Sequence, residues 1–399
     1  MGEKVFVSGY GLITAIGINA EESLASLVDE KSGVGRITLL NTIHKETIPA
    51  AEIKLTNREL AALAGKNDHT QYTRSALLGM IAAKEAATHA GIFPQKPDKL
   101  RYGIISATTV GGMDKSELHY YDYLKSDKFK RYVDTHDCSD STEKIADLLK
   151  AKDYLATIST ACSSSANAIM FGAQLIQGDI LDRVVVGGTD ALSIFTLNGF
   201  NSLLILDEKH CRPFDHTRKG LNLGEGAGYI VLESEKAIEG RNALCELKGF
   251  ANANDAYHQT ASSPEGTGAF LSMKEALEKG QLTPGEIHYI NAHGTGTENN
   301  DLSEGIAIEK IFGKSVPAVS STKPYTGHTL GAAGGVEAVF SILAIEHQIC
   351  FPNLNFKQPM TELSFQPEKK LLKGKNIQNV LSNSFGFGGN NSSLIFSAC

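Results

Sequence analysis

Cys162 is the side chain best placed by the sequence to act as a nucleophile. Residues 154–158 form a short apolar run that predicts a buried strand, and apolar residues recur at helical spacing from 166 to 176. A thiol at such a helix start faces the positive end of the helix dipole and unpaired backbone N–H groups, which favour a thiolate and can hold an oxyanion. The serines at 163–165 suit helix caps and are expected to keep this helix start open toward a cavity. The alternative is a buried structural cysteine, the ordinary role of a free thiol.

Three later stretches combine glycines with functional side chains. They are INAHGTGTENND at 290–301, STKPYTGHTLGAAGG at 321–335 and NSFGFGGNN at 383–391. Glycine allows close approach of the backbone to a ligand, so each stretch is a candidate site segment. Taken singly, each is also compatible with an ordinary turn, and His293 or His328 alone is compatible with a structural histidine.

Two nucleotide-binding motifs are present only in part in this sequence. The stretch GYGLITAIG follows a predicted strand at 4–8 and is read as a glycine-containing turn, but Thr14 stands where a dinucleotide fingerprint needs its third glycine. Gly313, Lys314 and Ser315 match the end of a phosphate-binding loop, yet Ile308 occupies the position of its first glycine. No nucleotide cofactor is expected.

Predicted strands and helices alternate along the chain, which indicates an α/β fold with mainly parallel sheets. The pattern occurs twice, and it predicts an N-terminal half at 1–245 that carries Cys162 and a C-terminal half at 246–399 that carries both histidines. The segment 113–150 is the least regular and most charged part of the chain. Its basic run KSDKFKR at 125–131 is interpreted first as a solvated face.

Composition excludes few functions. With 399 residues and 42% hydrophobic residues, the chain can bury a large core. A net charge of −7 gives no general reason to bind nucleic acid or an anionic membrane. The six cysteines form no metal-binding spacing and are expected to be reduced. The N-terminal residues lack the apolar core of a signal peptide and no apolar run looks long enough to cross a bilayer, so a cytoplasmic location is expected.

The combined motifs resemble the β-ketoacyl-acyl carrier protein synthases, condensing enzymes of the thiolase superfamily, and most closely their FabF-like (type II) branch. The resemblance covers nearly the whole chain. It rests on TACSSS around Cys162, NAHGTGT around His293, STKPYTGHTLGAAG with Lys323 and His328, and GFGG with Phe387. It implies a thiolase-like fold in which two duplicated α/β halves form a five-layered αβαβα core.

The resemblance also implies roles for individual residues. Cys162 would accept the acyl group, and His293 and His328 would serve decarboxylation and stabilise the carbanion. Lys323 would act on the orientation and charge of the histidine pair, with Glu337 as its ion-pair partner. The backbone N–H of the gating residue Phe387 would complete an oxyanion hole with that of Cys162.

Further residues are assigned by the resemblance alone. Thr295 and Thr297 would bind the pantetheine arm. Val110 and Phe200 would line the acyl pocket. A basic group would dock the acidic acyl carrier protein, and it consists of Lys128, Lys130 and Arg131.

The implied activity is that of a homodimeric 3-oxoacyl-[acyl-carrier-protein] synthase of fatty acid biosynthesis, which condenses a cysteine-bound acyl group with malonyl-acyl carrier protein. No metal or cofactor is implied beyond the phosphopantetheine arm that carries the substrates. TACSSS in place of TACATG, and Asn390 where threonine is common, leave a specialised polyketide or aryl polyene pathway open. A non-catalytic chain-length-factor-like subunit is disfavoured by the intact Cys162 and histidines. A thiolase is disfavoured because GFGGNN carries no second cysteine.

Overall fold

Strands and helices alternate along most of the chain, as predicted. The computed structural model describes residues 3–94, 99–127 and 130–399, without the side chains of residues 131 and 133. Its strands are β1 Phe6–Thr14, β2 Tyr102–Ala107, β3 Tyr154–Ile158, β4 Arg183–Asp190, β5 Gly226–Glu233, β6 Cys245–Asn254, β7 Tyr289–Asn291, β8 Ala318–Ser320, β9 Ile349–Cys350, β10 Leu372–Lys373, β11 Asn379–Gly386 and β12 Asn390–Ser397.

Helices separate most of these strands. They are α1 Ala20–Val28, α2 Asn57–Leu63, α3 Arg74–His89, α4 Met113–Tyr123, α5 Lys130–Asp134, α6 Ser139–Leu149, α7 Ser164–Gln177, α8 Ile194–Ser202, α9 Glu235–Ile238, α10 Thr267–Gly280, α11 Glu298–Phe312, α12 Lys323–Thr326 and α13 Ala333–His347. Single 3-10 turns lie at His69–Gln71, Pro284–Glu286, Leu330–Ala332 and Phe387–Gly389.

One sheet contains ten of the strands, and its order repeats. The order is β3-β2-β4-β5-β1 in the first half and, read outward from the centre, β6-β12-β11-β7-β8 in the second. If β1 to β5 are matched to β6, β7, β8, β11 and β12, the two halves have the same strand order. The central strands β1 and β6 pair over only two residue positions. This repeat confirms the α/β class and the duplicated halves; the boundary near residue 245 stays a prediction.

Helices α7 and α13 lie side by side between the two halves of the sheet, while α3 and α10 cover the outer faces. The close approach of α13 to β5 depends on glycine, because a Cβ on Gly335 would lie 2.4 Å from the carbonyl oxygen of Gly228. The layers therefore run helix, sheet, helix pair, sheet, helix, as the resemblance implies. The central pair places the start of α7, next to Cys162, beside α13, which carries Glu337.

Four expectations from the sequence are wrong. The sheets are not mainly parallel, because in the described ten-stranded sheet five strand pairings are antiparallel and four are parallel. The stretch GYGLIT is not a turn, because β1 continues through it to Thr14. The charged segment 113–150 is not irregular, since its described residues form α4, α5 and α6. Within the described ranges, Leu330–His347 is long and apolar enough to cross a membrane, contrary to the sequence analysis. Because 89% of that stretch is buried inside the protein, it is a core helix here.

Candidate active site

Cys162 sits in a tight turn between β3 and α7. The preceding residue, Ala161, has a φ of +54°, which is unusual for a residue with a side chain. The turn closes where the N–H of Ser164 donates to the carbonyl of Ala161 at 3.1 Å. Such a local conformation is held by its surroundings and is common at functional sites. The thiol itself is buried, and it borders two cavities described below.

The three serines after Cys162 do not act as the predicted helix caps. All are fully buried, and the side chain of Ser163 makes no capping hydrogen bond. Instead, Ser163 Oγ donates to the carbonyl of Thr160 at 2.7 Å, and Ser164 Oγ accepts from the N–H of Thr160 at 2.8 Å. Ser165 Oγ accepts from the N–H of Gly335 on α13 at 2.8 Å. The serines therefore fix the nucleophile turn and attach it to the central helix pair.

The two predicted histidines lie beside the thiol. Their rings are perpendicular with centroids 5.3 Å apart. Cys162 Sγ and one nitrogen of each ring all lie within 4.8 Å of one another. His293 follows β7, and its loop is held by Glu304 on α11, which accepts from the N–H groups of His293 at 2.9 Å and Gly294 at 2.8 Å. His328 follows α12. Residues far apart in the chain thus converge on one sulfur atom.

Hydrogen bonds fix the tautomer of both imidazoles. Lys323 Nζ lies 3.2 Å from His293 Nδ1, and an ammonium group can only donate. The N–H of Leu330 donates to His328 Nδ1 at 3.2 Å. Burial and, next, the charge of Lys323 hold the pKa of both histidines well below the ordinary value. Both rings are therefore neutral, and each carries its proton on Nε2.

A thiol and two imidazoles would also suit a soft metal ion by ligand type. A metal bound at Nε2 would require the proton to move to Nδ1 on each ring. On His293 that proton would face the ammonium group of Lys323, and on His328 it would face the N–H of Leu330. Both of these groups are hydrogen-bond donors. The arrangement therefore suits two hydrogen-bond donors aimed at an anion better than a metal centre.

The resting thiol is protonated, contrary to the thiolate expected from the helix dipole. Burial raises the pKa of Cys162 to about 11, and the charge of Lys323 opposes this only in part. The backbone N–H groups of Phe387 and of Cys162 itself also donate toward the sulfur, which lowers the pKa slightly. These two N–H groups are the pair assigned to the oxyanion hole from the sequence.

Lys323 and Glu337 form a buried ion pair. Lys323 Nζ lies 2.5 Å from Glu337 Oε1, and the Lys323 side chain is only 1% exposed. Burial raises the pKa of Glu337 to about 7, against the charge of Lys323. Lys323 lies on α12 and Glu337 on α13, and the pair places a positive charge beside Nδ1 of His293.

Phe200 and Phe387 separate two cavities at the sulfur. Their rings stack with centroids 5.7 Å apart, and both residues border both cavities, as does Cys162. The more polar cavity measures about 410 Å³ and contains both histidines, Thr295 and Thr297. The other measures about 370 Å³, is almost entirely apolar and contains Val110. The structure thus divides the predicted substrate-binding residues into a polar group and an apolar group.

Two family profiles match the chain, the N-terminal domain of beta-ketoacyl synthase over residues 2–237 and its C-terminal domain over residues 244–357. The chain belongs to the beta-ketoacyl synthase family. A 3-oxoacyl-[acyl-carrier-protein] synthase 2 of Staphylococcus aureus (strain COL) is 31% identical to it, over 99% of this chain and 98% of the relative.

Solved ketosynthase structures share the fold over the whole chain. The ishigamide ketosynthase/chain length factor superposes with a TM-score of 0.92 at 27% identity, over 100% of both chains. The ketosynthase ApeO in complex with its chain length factor ApeC, from Xenorhabdus doucetiae, superposes with a TM-score of 0.83 at 30% identity, over 100% of this chain and 98% of that one.

This beta-ketoacyl synthase also contains supporting residues that sequence reasoning missed. Glu304 holds the His293 loop, and burial raises the pKa of Glu304 to about 7. Asp190, at the end of β4, accepts from the side chain of Thr108 at 2.5 Å and from the N–H of Gly331 at 2.7 Å. It connects the loop before Val110 with the turn after His328. Neither carboxylate has a sequence signal that distinguishes it from a surface acid.

The predicted carrier-protein docking residues are only partly placed. Lys130 is exposed at the start of α5. Lys128 lies outside the described residues, as does the side chain of Arg131. Another exposed lysine, Lys219, lines the polar cavity and was not predicted.

The raised thiol pKa predicts the pH dependence of Cys162 alkylation. Because only the thiolate reacts, the iodoacetamide rate at Cys162 should rise about tenfold per pH unit from pH 7 to 10. It can be followed by mass spectrometry of the Cys162 peptide, with circular dichroism confirming that the fold persists. A short unstructured cysteine peptide in the same buffers is the control and should level off above about pH 9.5. A Cys162 rate that is already constant between pH 7 and 8 would contradict the raised pKa.

Proposed function

We propose that this protein is a 3-oxoacyl-[acyl-carrier-protein] synthase, which condenses an acyl group held on Cys162 with malonyl-acyl carrier protein and releases carbon dioxide. The observation that carries this proposal is the group formed by one thiol and two neutral imidazoles within 4.8 Å, at the junction of a polar and an apolar cavity. The relative from Staphylococcus aureus carries the same activity in its name.

In the first step, Cys162 Sγ attacks the thioester carbonyl of the acyl carrier protein. The carbonyl oxygen becomes an oxyanion that accepts hydrogen bonds from the N–H groups of Cys162 and Phe387. When the tetrahedral intermediate collapses, the pantetheine sulfur leaves and takes up the proton that Cys162 has lost. The acyl chain is then held as a thioester on the enzyme.

In the second step, malonyl-acyl carrier protein places its thioester oxygen between the Nε2–H groups of His293 and His328. The bond between the carboxylate and the α-carbon breaks, carbon dioxide leaves, and the electron pair forms an enolate whose oxygen the two imidazoles stabilise. The enolate carbon then attacks the acyl carbon on Cys162. Collapse of the second oxyanion breaks the bond between the acyl carbon and Cys162 Sγ and releases the β-ketoacyl product. The thiolate that remains takes up a proton from solvent.

The two cavities suit the two parts of each substrate. The hydroxyl groups of Thr295 and Thr297 lie 2.9 Å apart in the polar cavity, where they can bond to the amides of a pantetheine arm. The apolar cavity beyond the Phe200–Phe387 pair suits an acyl chain. The substrates are carried on the phosphopantetheine arm, and we propose no other cofactor and a cytoplasmic location.

We also propose a homodimer, because the apolar cavity has an exposed wall. Phe195 and Leu203 line it from α8 and are 59% and 45% exposed. Among the described residues, β3 pairs only with β2, so its other edge is free, and Leu155 on it is 46% exposed. An unpaired edge strand with apolar side chains is a ready surface for a second chain.

A specialised polyketide or aryl polyene pathway is the second candidate. The solved ketosynthases described above, at 27% and 30% identity, are both named together with a chain length factor. Cys162, His293 and His328 are all present in this chain, so it would be the catalytic subunit of such a pair. The choice between a second copy and a different partner subunit can be made in the dimer experiment below.

Replacement of the nucleophile separates the two half-reactions. Cys162→Ala should abolish condensation, since no acyl-enzyme can form. Cys162→Gln should still release carbon dioxide from malonyl-acyl carrier protein, because the histidine pair is intact, while it forms no β-ketoacyl product. Radiolabelled carbon dioxide release and product mass spectrometry measure the two activities. Normal elongation by purified Cys162→Ala protein would rule out the mechanism.

Carrier-protein docking can be located by charge reversal. Lys130→Glu should raise the KM for carrier protein about tenfold with little change in kcat, because rim charges act mainly on encounter. Lys373→Glu, an exposed lysine on β10, is the matched control and should leave KM unchanged. A raised KM for Lys219→Glu with none for Lys130→Glu would move the docking site to the mouth of the polar cavity.

Disruption of the β3 edge should dissociate the dimer. Leu155→Lys should shift sedimentation from twice the chain mass to the monomer and lower activity on long acyl chains, because the apolar cavity loses its cover. Leu271→Lys, another exposed leucine on α10, is the control and should remain dimeric. A wild-type protein that is monomeric alone but forms a 1:1 complex with a chain-length-factor-like subunit would instead favour the second candidate.

A further inference from the structure

We infer that Asn390 is a positioning residue for the oxyanion hole. It directly follows residues 386–389, the glycine-rich segment that presents the N–H of Phe387 to Cys162 and is called the strap below. The inference deepens the proposed function and rests on it, because an oxyanion hole matters only where the Cys162 thioester forms. Asn390 does not touch the sulfur, and it acts through the strap.

The side-chain oxygen of Asn390 lies within hydrogen-bond distance of three donors. It accepts from Asn167 Nδ2 at 2.9 Å and from Asn252 Nδ2 at 2.7 Å. It also lies 2.7 Å from Ser163 Oγ, whose single proton it shares with the carbonyl of Thr160. Ser163 directly follows the nucleophile, Asn167 lies on α7 and Asn252 lies on β6. One oxygen therefore joins the C-terminal end of the strap to the nucleophile turn and to both halves of the fold.

A second layer of contacts orients these donors. Asn167 Nδ2 also donates to Thr160 Oγ1 at 2.8 Å. Asn167 Oδ1 accepts from Ser392 Oγ at 2.8 Å, and Asn252 Nδ2 donates to the same hydroxyl at 2.9 Å. The amides that bond to Asn390 are thus held by neighbours of their own. A connected network of this kind fixes the geometry of its members more firmly than isolated hydrogen bonds do.

The strap needs such an anchor because its backbone has little stiffness. Gly388 and Gly389 have φ values of +79° and +76°, in the region that glycine enters freely. At the other end, Gly386 lies against the nucleophile turn, where a Cβ would be 3.2 Å from the N atom of Cys162. The strap is held by β11 on one side and by Asn390 on the other. Its middle is also tied to β6 and the loop after it, because the N–H of Gly388 donates to the carbonyl of Gln259 at 2.8 Å and Asn254 Nδ2 donates to the carbonyl of Gly388 at 2.9 Å. Asn390 bonds directly to the nucleophile turn, so its loss lets the Phe387 N–H shift relative to the sulfur.

The expected effect is confined to the steps that use the oxyanion hole. Removal of one oxyanion-hole donor typically lowers a rate by two to three orders of magnitude, so a displaced donor should cost about tenfold to a hundredfold. Asn390→Ala should therefore lower the rate of Cys162 acylation at saturating acyl-acyl carrier protein by that factor. Decarboxylation depends on the imidazole Nε2–H groups, which lie on other loops. In a Cys162→Gln background, Asn390→Ala should change it by less than about twofold.

Three variants separate positioning from a general loss of structure. Asn390→Asp keeps an acceptor oxygen for all three donors and should retain most of the acylation rate. Asn252→Ala removes one donor at an exposed position and should cause a smaller loss, non-additive with Asn390→Ala. Asn379→Ala is the matched control at the far end of the same β11–β12 pair, where Asn379 bonds to Glu286 and Ser397, and it should leave acylation unchanged.

Acylation is measured by quenched flow and mass spectrometry of the Cys162 adduct, and decarboxylation by carbon dioxide release. An acylation rate equal to wild type in Asn390→Ala, or equal losses in acylation and decarboxylation, would overturn the inference. Absence of decarboxylation in Cys162→Gln with Asn390 intact would instead overturn the proposed function. The two failures are therefore distinguishable.

Discussion

The buried ammonium group of Lys323 is the interaction on which the rest of the site depends. It lies between His293 Nδ1 and Glu337, and its charge lowers the pKa of both histidines and opposes the burial that raises the pKa of Cys162. A buried cation is tolerated only with a close counter-charge, and removal of one partner of such a pair typically costs about 3–5 kcal/mol. Glu337 thus stabilises the ammonium group that, after burial, contributes to keeping the imidazoles neutral.

The duplicated fold explains how these groups meet. In each half, strands run parallel at the outer part of the sheet, and their carboxyl ends carry the loops that reach the site. β3 leads to Cys162 in the first half, while β7 and β8 lead toward His293 and Lys323 in the second. The central pair α7 and α13 holds the two sets of loops face to face. Short polar links such as Ser165 to Gly335 keep the distance between them fixed.

The sequence predicted the identity of the reactive groups better than their protonation state. β3 has the predicted bounds, and Cys162, His293 and His328 converge, because short motifs encode local turns and residue types. The thiolate prediction was wrong because a helix start is visible in sequence, whereas the burial that raises the Cys162 pKa arises from distant packing. Glu304 was missed for the same reason, since its contact with the His293 loop joins a helix interior to a turn.

In the proposed reaction, two separate oxyanion-binding sites lie beside Cys162 Sγ. The backbone N–H groups of Cys162 and Phe387 face the carbonyl oxygen of the bound acyl group, while the imidazole Nε2–H groups face the enolate oxygen. The first pair is held by the nucleophile turn and the strap, and the second by Lys323, Glu304 and Leu330. Because the two sites use different donor groups, each oxyanion can form in turn while the acyl chain stays in place. A protonated resting thiol is compatible with this order, since negative charge appears at the sulfur only when a thioester is present to accept the attack.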